Sequence, residues 1–257
     1  MGLYVLSDLH IQGSGDPMFQ SLLAVINQRA QKGDVVVLAG DLFDLFVGGK
    51  KVFKEKYSDF FRALIDAGNR GVKICYIEGN HDFLIKRVFR NISGLTVHSD
   101  FVDLEIGGRK FYFAHGDRVD SSDYSYRILR FFFRSFIMKT LVALFPAEIL
   151  ERIGKLSSRK SREKNNILFN RNPQLERMDR MDQMQKVRRV FRSYAADLLA
   201  KKYDFVVLGH CHDLDEMNFN IGNKKGQYIN VGFPRIHGSF LSWSQGDEKI
   251  QREKLPT

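Results

Sequence analysis

Short apolar runs alternate with segments of helical periodicity over the first third of the chain. Residues 3–7 read as a short buried strand, and Met18, Leu22, Val25 and Ile26 recur at helical spacing within 17–31. Val35, Val36, Val37 and Leu38 form a second apolar run within 34–39. Residues 50–69 predict one amphipathic helix with Phe53, Tyr57, Phe60, Phe61 and Leu64 on one side, and "VKICYI" at 72–77 predicts a third strand. Strands alternating with helices imply a parallel sheet with right-handed crossovers. The pattern changes after "GNHD". "FVDLEIGGRKFYFAHGD" predicts two strands around Gly107-Gly108, a hairpin signal. Residues 123–200 are helical in pattern almost throughout, and strands are expected again at 204–208, near 215–221, at 227–231 and at 238–243. The expected organisation is one core from 1–117 and 203–257, interrupted by a helical cap insertion over 118–202.

Charge sharpens this division. The net charge is +10, but residues 118–202 hold 20 Lys/Arg against 9 Asp/Glu, and the remainder holds 20 against 21. A near-neutral body therefore carries one basic segment, which suits nucleic acid, anionic lipid, a phosphorylated ligand or simply a solvated face. The 257 residues, 44% of them apolar, suffice for one α/β domain with a real core. Cys75 and Cys211 are far apart and form no disulfide framework, so a reducing compartment is expected. "MGLYVLSDLH" lacks a signal-peptide pattern, Leu6 stands where an acylation motif needs Ser or Thr, and no run of 18 apolar residues predicts a membrane span.

The chemistry gathers where apolar runs end. Five points carry polar residues directly after such a run: "VLSDLH" (Asp8, His10), "VLAGDLFD" (Asp41, Asp44), "YIEGNHD" (Asn80, His81, Asp82), "FYFAHGD" (His115, Asp117) and "VVLGHCH" (His210, His212). Ligands of open α/β sheets bind beyond the carboxyl ends of the strands. Mixed Asp, Asn and His donors suit manganese, iron or zinc, not a thiolate-bound structural zinc. In an extended chain, side chains at i and i+2 share a side, so Asp8 with His10 and His210 with His212 are each expected to reach one cavity. So many candidates fit two ions about 3.5–4 Å apart with a bridging carboxylate, a role given to Asp41. Cys211 is expected to point away from the ions, Cys75 to lie in the core, and Asp82 to serve a turn or cap.

The ordered set D-x-H, G-D-x-x-D, G-N-H-D, H-G-D and G-H-x-H resembles the calcineurin-like metallophosphoesterases, over residues 5–212. The resemblance implies a four-layer α/β/β/α sandwich. It implies one metal held by Asp8, His10, Asp41 and His212, and a second held by Asp41, Asn80, His115 and His210. It implies in-line attack on phosphorus by an activated water, with the ions stabilising charge on the phosphoryl oxygens. Carried over from members with the same motif, His81 faces the scissile phosphate as catalytic acid or phosphate contact, and the Asp44 side chain orients it. An N-cap is the plainer role for Asp44.

Substrate choice falls to the insertion. In "YRILRFFFRSFIMKTLVALFP", Arg127, Arg130 and Arg134 share one helical face, and Phe131, Phe132, Phe133, Phe136, Ile137, Leu141 and Leu144 cover most of the rest. Such a surface suits a cap core, a lipid pocket or the membrane interface. "RIGKLSSRKSREKNN" suits phosphates or anionic headgroups. A cap placed after H-G-D is similar to the UDP-2,3-diacylglucosamine pyrophosphohydrolases of lipid A synthesis, as are "LSDLH", "GDLFD" and "GNHDFLI". That likeness implies substrate contacts from Asn80, His81, Asp123, Tyr126, Arg159, Lys160, Ser161, Arg162, Asn165 and His210, with Lys164 in place of a lysine expected a few residues later. It implies cleavage to UMP and a lipid monophosphate, Mn²⁺ as the usual ion, and a peripheral position on the cytoplasmic side of a Gram-negative inner membrane. His81 and Asp44 stand where those enzymes commonly have arginine and glutamate, a pairing typical of general phosphoesterases. Another phosphomonoester or phosphodiester, or DNA or RNA, therefore remains an alternative substrate, although dense aliphatic and phenyl residues among the arginines fit nucleic acid poorly.

Overall fold

Residues buried on both faces of a sheet need cover from two sides, and the strands predicted from short apolar runs obtain it here. The computed structural model describes residues 1–122, 124–135, 138, 140, 142, 173–222 and 224–256. Two compact units are present, 1–118 with 194–257, and 119–193. The larger unit begins with β1 (Gly2–Leu6), α1 (Pro17–Ala24), a π-helical turn (Val25–Arg29), β2 (Val35–Leu38) and β3 (Phe46–Val47). It continues through α2 (Lys51–Lys56), α3 (Ser58–Asn69), β4 (Lys73–Ile77), β5 (Asp82–Phe83), α4 (Lys86–Phe89) and β6 (Leu95–His98). The hairpin β7 (Phe101–Ile106) and β8 (Arg109–Ala114) follows. Helix α5 (Tyr124–Arg134) belongs to the smaller unit, and α6 (Pro173–Lys201) runs from it into the larger one. Then come β9 (Phe205–Leu208), β10 (Glu216–Ile221), β11 (Lys224–Asn230), α7 (Pro234–His237), β12 (Ser239–Ser244) and β13 (Gln251–Lys254).

The strands form a six-stranded sheet in the order β13-β12-β1-β2-β4-β6 and a five-stranded sheet in the order β10-β11-β9-β8-β7. β1, β2, β4 and β6 are parallel, as are β8, β9 and β11. Period-2 alternation sorts the side chains. Leu3, Val5, Val35, Val37, Cys75 and Ile77 from the first sheet meet Phe111, Phe113, Phe205, Val207 and Ile229 from the second in one buried cluster. Val36, Leu38, Ile74 and Tyr76 point the other way, onto Phe19 and Leu22 of α1 and Phe60 and Leu64 of α3. The outer face of the second sheet is covered by the end of α6, where Ala195 and Leu199 are buried and the Tyr194 hydroxyl lies 2.8 Å from that of Tyr112. This is the four-layer α/β/β/α sandwich, and it puts the carboxyl ends of β1, β2, β4, β8 and β9 along one edge.

Three local expectations need correction. The single helix predicted over 50–69 is two, because Tyr57 takes φ −118° and ψ 33° and turns inward. It packs on Phe43 with ring centroids 4.2 Å apart, and its hydroxyl donates to the Ile11 carbonyl. The segment 17–31 is helical only to Arg29, with Asp16 capping α1 by accepting from the Met18 N–H at 3.0 Å. β6 and β13 were not predicted; β13 reads Gln-Arg-Glu-Lys, with no apolar residue, and it is an edge strand defined only by its partner β12.

Phe111 sits at the centre of the inter-sheet cluster, fully buried, with ring centroids 4.6 Å from Phe205 and 5.1 Å from Trp243. Phe111→Ala is expected to destabilise the protein by about 3–5 kcal/mol, measured by urea unfolding. A loss below about 1 kcal/mol would mean that the two sheets do not share this core.

Candidate metal centre

The five motif segments leave their strands but stay laced together. Past the ends of β1 and β2 the two loops go on pairing, with Asp8 N–H to the Gly40 carbonyl at 3.0 Å, His10 N–H to Asp41 at 3.1 Å and Ile11 N–H to Leu42 at 2.9 Å. On the second sheet the Gly209 N–H donates to the His115 carbonyl at 2.8 Å. The buried Asp8 carboxylate joins the sheets by accepting from the His210 N–H at 3.1 Å. The i, i+2 spacing of Asp8 with His10 and of His210 with His212 predicts a shared side in an extended chain, but the backbone here is not extended. Asp8, His10, Asp41, His210 and His212 have φ of 55°, 47°, 52°, 69° and 57°, in the left-handed region that side chains disfavour. Asp8 and His10 therefore converge through a tight turn at each residue, not through alternation, and His210 and His212 enter different donor groups.

Two groups of donors result. Asp8, His10 and His212 bring one ligand atom each within 4.8 Å of the others, and so do Asp41, His115 and His210. In the first group His212 Nε2 is 3.3 Å from Asp8 Oδ1 and 3.2 Å from His10 Nε2. In the second, His115 Nε2 lies 3.1 Å from Asn80 Oδ1 and 3.2 Å from His210 Nδ1. Asp41 lies between the groups. Its Oδ1 accepts from the N–H groups of Asn80 and His81 at 2.8 and 2.9 Å, and its Oδ2 is 3.4 Å from His115 Nε2 and 4.0 Å from His10 Nε2. The backbone comes very close here. A Cβ on Gly79 would lie 2.1 Å from Asp41 Oδ1, and one on Gly209 would lie 2.5 Å from Asp8 Oδ2.

Electrostatics follow from burial and like-charge crowding. Burial pushes His10 down to about 4 despite the nearby Asp41, which keeps a neutral imidazole at neutral pH. Burial and the neighbouring His115 also lower His210. Burial would lower His115 too, but Asp41 and Asp8 raise it well above its usual value. Burial raises a carboxyl, yet the facing imidazoles hold Asp8 below and Asp41 well below the ordinary range. The carboxylates thus draw positive charge to this point. The His115 Nδ1 lies 3.0 Å from the Ala39 carbonyl, so it carries the proton and leaves Nε2 for a cation. Cys211 is turned away, 3.1 Å from Asn230 Nδ2, and burial pushes its thiol up to about 12. Imidazoles, carboxylates and one amide with no thiolate fit divalent manganese, iron or zinc.

His81 and Asp44 also converge, within a group that includes His10. The expected side-chain contact is replaced by a main-chain one: His81 Nδ1 lies 2.7 Å from the Asp44 carbonyl oxygen. A carbonyl only accepts, so Nδ1 donates and Nε2 is the nitrogen left for a substrate. Asp82 closes its own turn through the Gly79 N–H, and it does more than that. It is fully buried and accepts from the N–H groups of Asp41 and Gly79 at 2.9 Å each, from the Leu42 N–H at 2.8 Å and from the Tyr76 hydroxyl at 2.7 Å. Burial and the Asp41 charge push its carboxyl up to about 7. An acid placed two residues after Asn80 in a run expected to be a loop gave no sign of this role; the one signal in the sequence is the apolar Phe83-Leu84-Ile85 that follows it.

A second missed set lies at 230–237. Asn230 Nδ2 donates to the Gly209 carbonyl at 3.0 Å, and Phe233 stacks on His212 with centroids 4.5 Å apart and planes 5° apart. Arg235 donates to the His10 carbonyl at 2.7 Å and pairs with Asp16. No motif marked these residues.

In the smaller unit, Tyr124, Ile128 and Phe131 recur along one stripe of α5 at 70%, 71% and 80% exposure, with Phe132 at 41%. Asp123, Phe136, Arg159, Lys160, Ser161, Arg162, Lys164 and Asn165, and the side chains of Tyr126 and Phe133, lie outside the described residues.

A family model for calcineurin-like phosphoesterases matches residues 1–214. The UDP-2,3-diacylglucosamine hydrolase of Aeromonas salmonicida is 26% identical over 259 residues, covering 100% of this chain and 95% of its own. The hydrolases of the same name from Enterobacter sp. and Serratia proteamaculans are 26% and 22% identical, covering 98% and 95% of this chain and 99% and 95% of theirs. Since the matched stretch runs past His212 and takes in all five motif loops, the chain belongs to the calcineurin-like phosphoesterases.

Proposed function

We propose that this metal-dependent phosphoesterase hydrolyses the diphosphate of UDP-2,3-diacylglucosamine to UMP and 2,3-diacylglucosamine 1-phosphate. The likeness to hydrolases of that substrate over nearly full length supports the reading. The observation that carries its lipid part is the exposed stripe of Tyr124, Ile128 and Phe131 on α5, with the Arg127 guanidinium 5.8 Å over the Tyr124 ring. A mixed apolar and cationic helix face suits acyl chains beneath anionic headgroups. The protein would then work at the surface of a bacterial inner membrane.

Asp8, His10, Asp41 and His212 would hold one ion, and Asp41, Asn80, His115 and His210 the other, with Mn²⁺ the proposed metal. Bound together, two divalent ions polarise the phosphoryl oxygens and lower the pKa of the attacking water. The chain's own residues do the rest. Asp41 offers Oδ2 to both sides because its Oδ1 is committed to the Asn80 and His81 amides. His81, anchored through Nδ1 to the Asp44 carbonyl, presents Nε2 to the phosphate or to the departing oxygen. Asp123, Tyr126, Arg159, Lys160, Ser161, Arg162, Lys164 and Asn165 are the proposed glucosamine and diphosphate contacts. The His81 and Asp44 pairing also favours a second reading, a phosphoesterase of broader substrate range. The deciding assay gives purified protein and Mn²⁺ the lipid nucleotide beside small phosphomonoesters, phosphodiesters and DNA. Release of UMP from the lipid nucleotide alone supports the first reading, and turnover of water-soluble esters without it supports the second.

Asp41→Ala is expected to abolish hydrolysis and to lower the bound metal count. Two ions still present by elemental analysis would remove the bridging assignment.

His81→Ala is expected to cut turnover by roughly 10²-fold or more with metal content unchanged. Asp44→Asn keeps the carbonyl that His81 contacts, so its loss is expected to be much smaller. An equal loss in Asp44→Asn would return the orienting role to the carboxylate.

Serine in place of Phe131 and Phe132 is expected to raise KM strongly for the lipid substrate, since each buried methylene is worth about 0.8 kcal/mol. A small chromogenic phosphodiester should be turned over as before. Folded protein that loses both activities equally would take the acyl role from these rings.

A further inference from the structure

The two groups of donors are not held alike. In the Asp41, His115 and His210 group the deepest ring is fully buried and is oriented through Nδ1 by the Ala39 carbonyl. In the Asp8, His10 and His212 group, Asp8 is fully buried but the His212 side chain is 39% exposed and that of His10 is 15% exposed. A ligand imidazole in water needs something to fix its plane, or it spends part of its time in rotamers that cannot reach the ion. For His212 that contact is a ring. Phe233 lies face to face with it, 4.5 Å between centroids and 5° between planes, and meets His10 edge-on at 5.9 Å.

Phe233 is itself well fixed. Its N–H donates to His237 Nδ1 at 2.9 Å, and Gly232 before it donates to Asn230 Oδ1 at 3.0 Å. The same turn sends Arg235 across to the loop after β1. There it donates to the His10 carbonyl and pairs with Asp16, the cap of α1. One short segment thus grips both imidazoles, the exposed His212 by stacking and the largely buried His10 through its backbone. The segment begins after residue 214, where the family match ends.

We propose that Phe233 and Arg235 are positioning residues that preorganise Asp8, His10 and His212 for one of the two ions and leave the other ion's ligands alone. The proposal rests on the two-ion reading of the centre. Stacking holds the His212 plane so that Nε2 faces Asp8 and His10, and the Arg235 contact holds the His10 turn in its left-handed conformation.

The test titrates metal-stripped full-length protein with Mn²⁺ by equilibrium dialysis, beside thermal melts of the metal-free form. In Phe233→Ala, one of the two Kd values is expected to rise about 10- to 100-fold, the range for lost support of a metal ligand, with the other unchanged. Phe233→Tyr, which keeps the ring, is expected to restore it. Phe233→Leu, which keeps apolar cover without a planar face, is not, and Arg235→Gln is expected to weaken the same ion. Unchanged affinities in Phe233→Ala, or Phe233→Leu binding as well as wild type, would overturn the proposal. So would equal weakening of both ions together with a lowered melting temperature, which is what general loosening of the fold produces. Wild-type protein that binds no second ion overturns the two-ion reading and this proposal with it.

Discussion

Asp8, His10, Asp41, His210 and His212 all occupy the left-handed region of backbone space, which costs roughly 1–2 kcal/mol for each side-chain-bearing residue. Five such residues stay there only because the surroundings over-determine them. Interstrand hydrogen bonding that continues beyond β1 and β2 is one restraint, and the Asp8 carboxylate on the His210 amide is another. Asp82 is the third. Its two oxygens collect three main-chain N–H groups from the loops after β2 and β4 and one hydroxyl from Tyr76 of β4, deep in the interior. Buried N–H groups left without an acceptor each cost about 1–3 kcal/mol. The loops therefore cannot relax without exposing that penalty, and the strain stays where the donors converge.

How much of this was legible follows from which signals are local. Buried strands after which a carboxylate or imidazole appears are visible in one dimension, so Asp8, His10, Asp41, Asn80, His115, His210 and His212 could all be picked out. The central parallel strands and the Gly107-Gly108 hairpin were legible from apolar runs and turn residues, while the pairing into two stacked sheets came only with the family resemblance. What was not legible depends on partners far away in sequence. Asp82 looks like any acid in a turn until the fold supplies four donors around it. Phe233 is one of 22 phenylalanines, and nothing nearby says that its ring will lie on His212. The break at Tyr57 is similar, because the apolar spacing of 50–69 suits one helix and only the aromatic cluster around Phe43 pulls the chain inward. Alternation pairs Asp8 with His10 correctly but for the wrong backbone, whereas His210 and His212 are divided between the two donor groups.

The division of labour between the units also has a physical basis. A centre that must hold donors within a few ångströms sits on packed sheets whose side chains interlock on both faces. The apolar and cationic residues proposed to meet lipid sit on α5, a helix whose Tyr124, Ile128 and Phe131 are left in contact with water. Rigid geometry and an exposed apolar helix face make opposite demands on packing, and they fall on separate stretches of sequence.

The order of strands has a bearing on how the chain is made. β1 lies in the middle of the six-stranded sheet, between β2, where Leu3 pairs with Val35, and β12, where Gly2 pairs with Ser244. During vectorial synthesis the first of these partners emerges soon after β1 and the second much later. Until then one side of β1 is an unpaired apolar edge, the kind of surface that recruits other strands. Residues 119–193 are translated inside that interval and lengthen it. A chain interrupted before β12 therefore lacks more than one strand: its central β1 is left open on one side, which makes such fragments candidates for aggregation or for capture by chaperones.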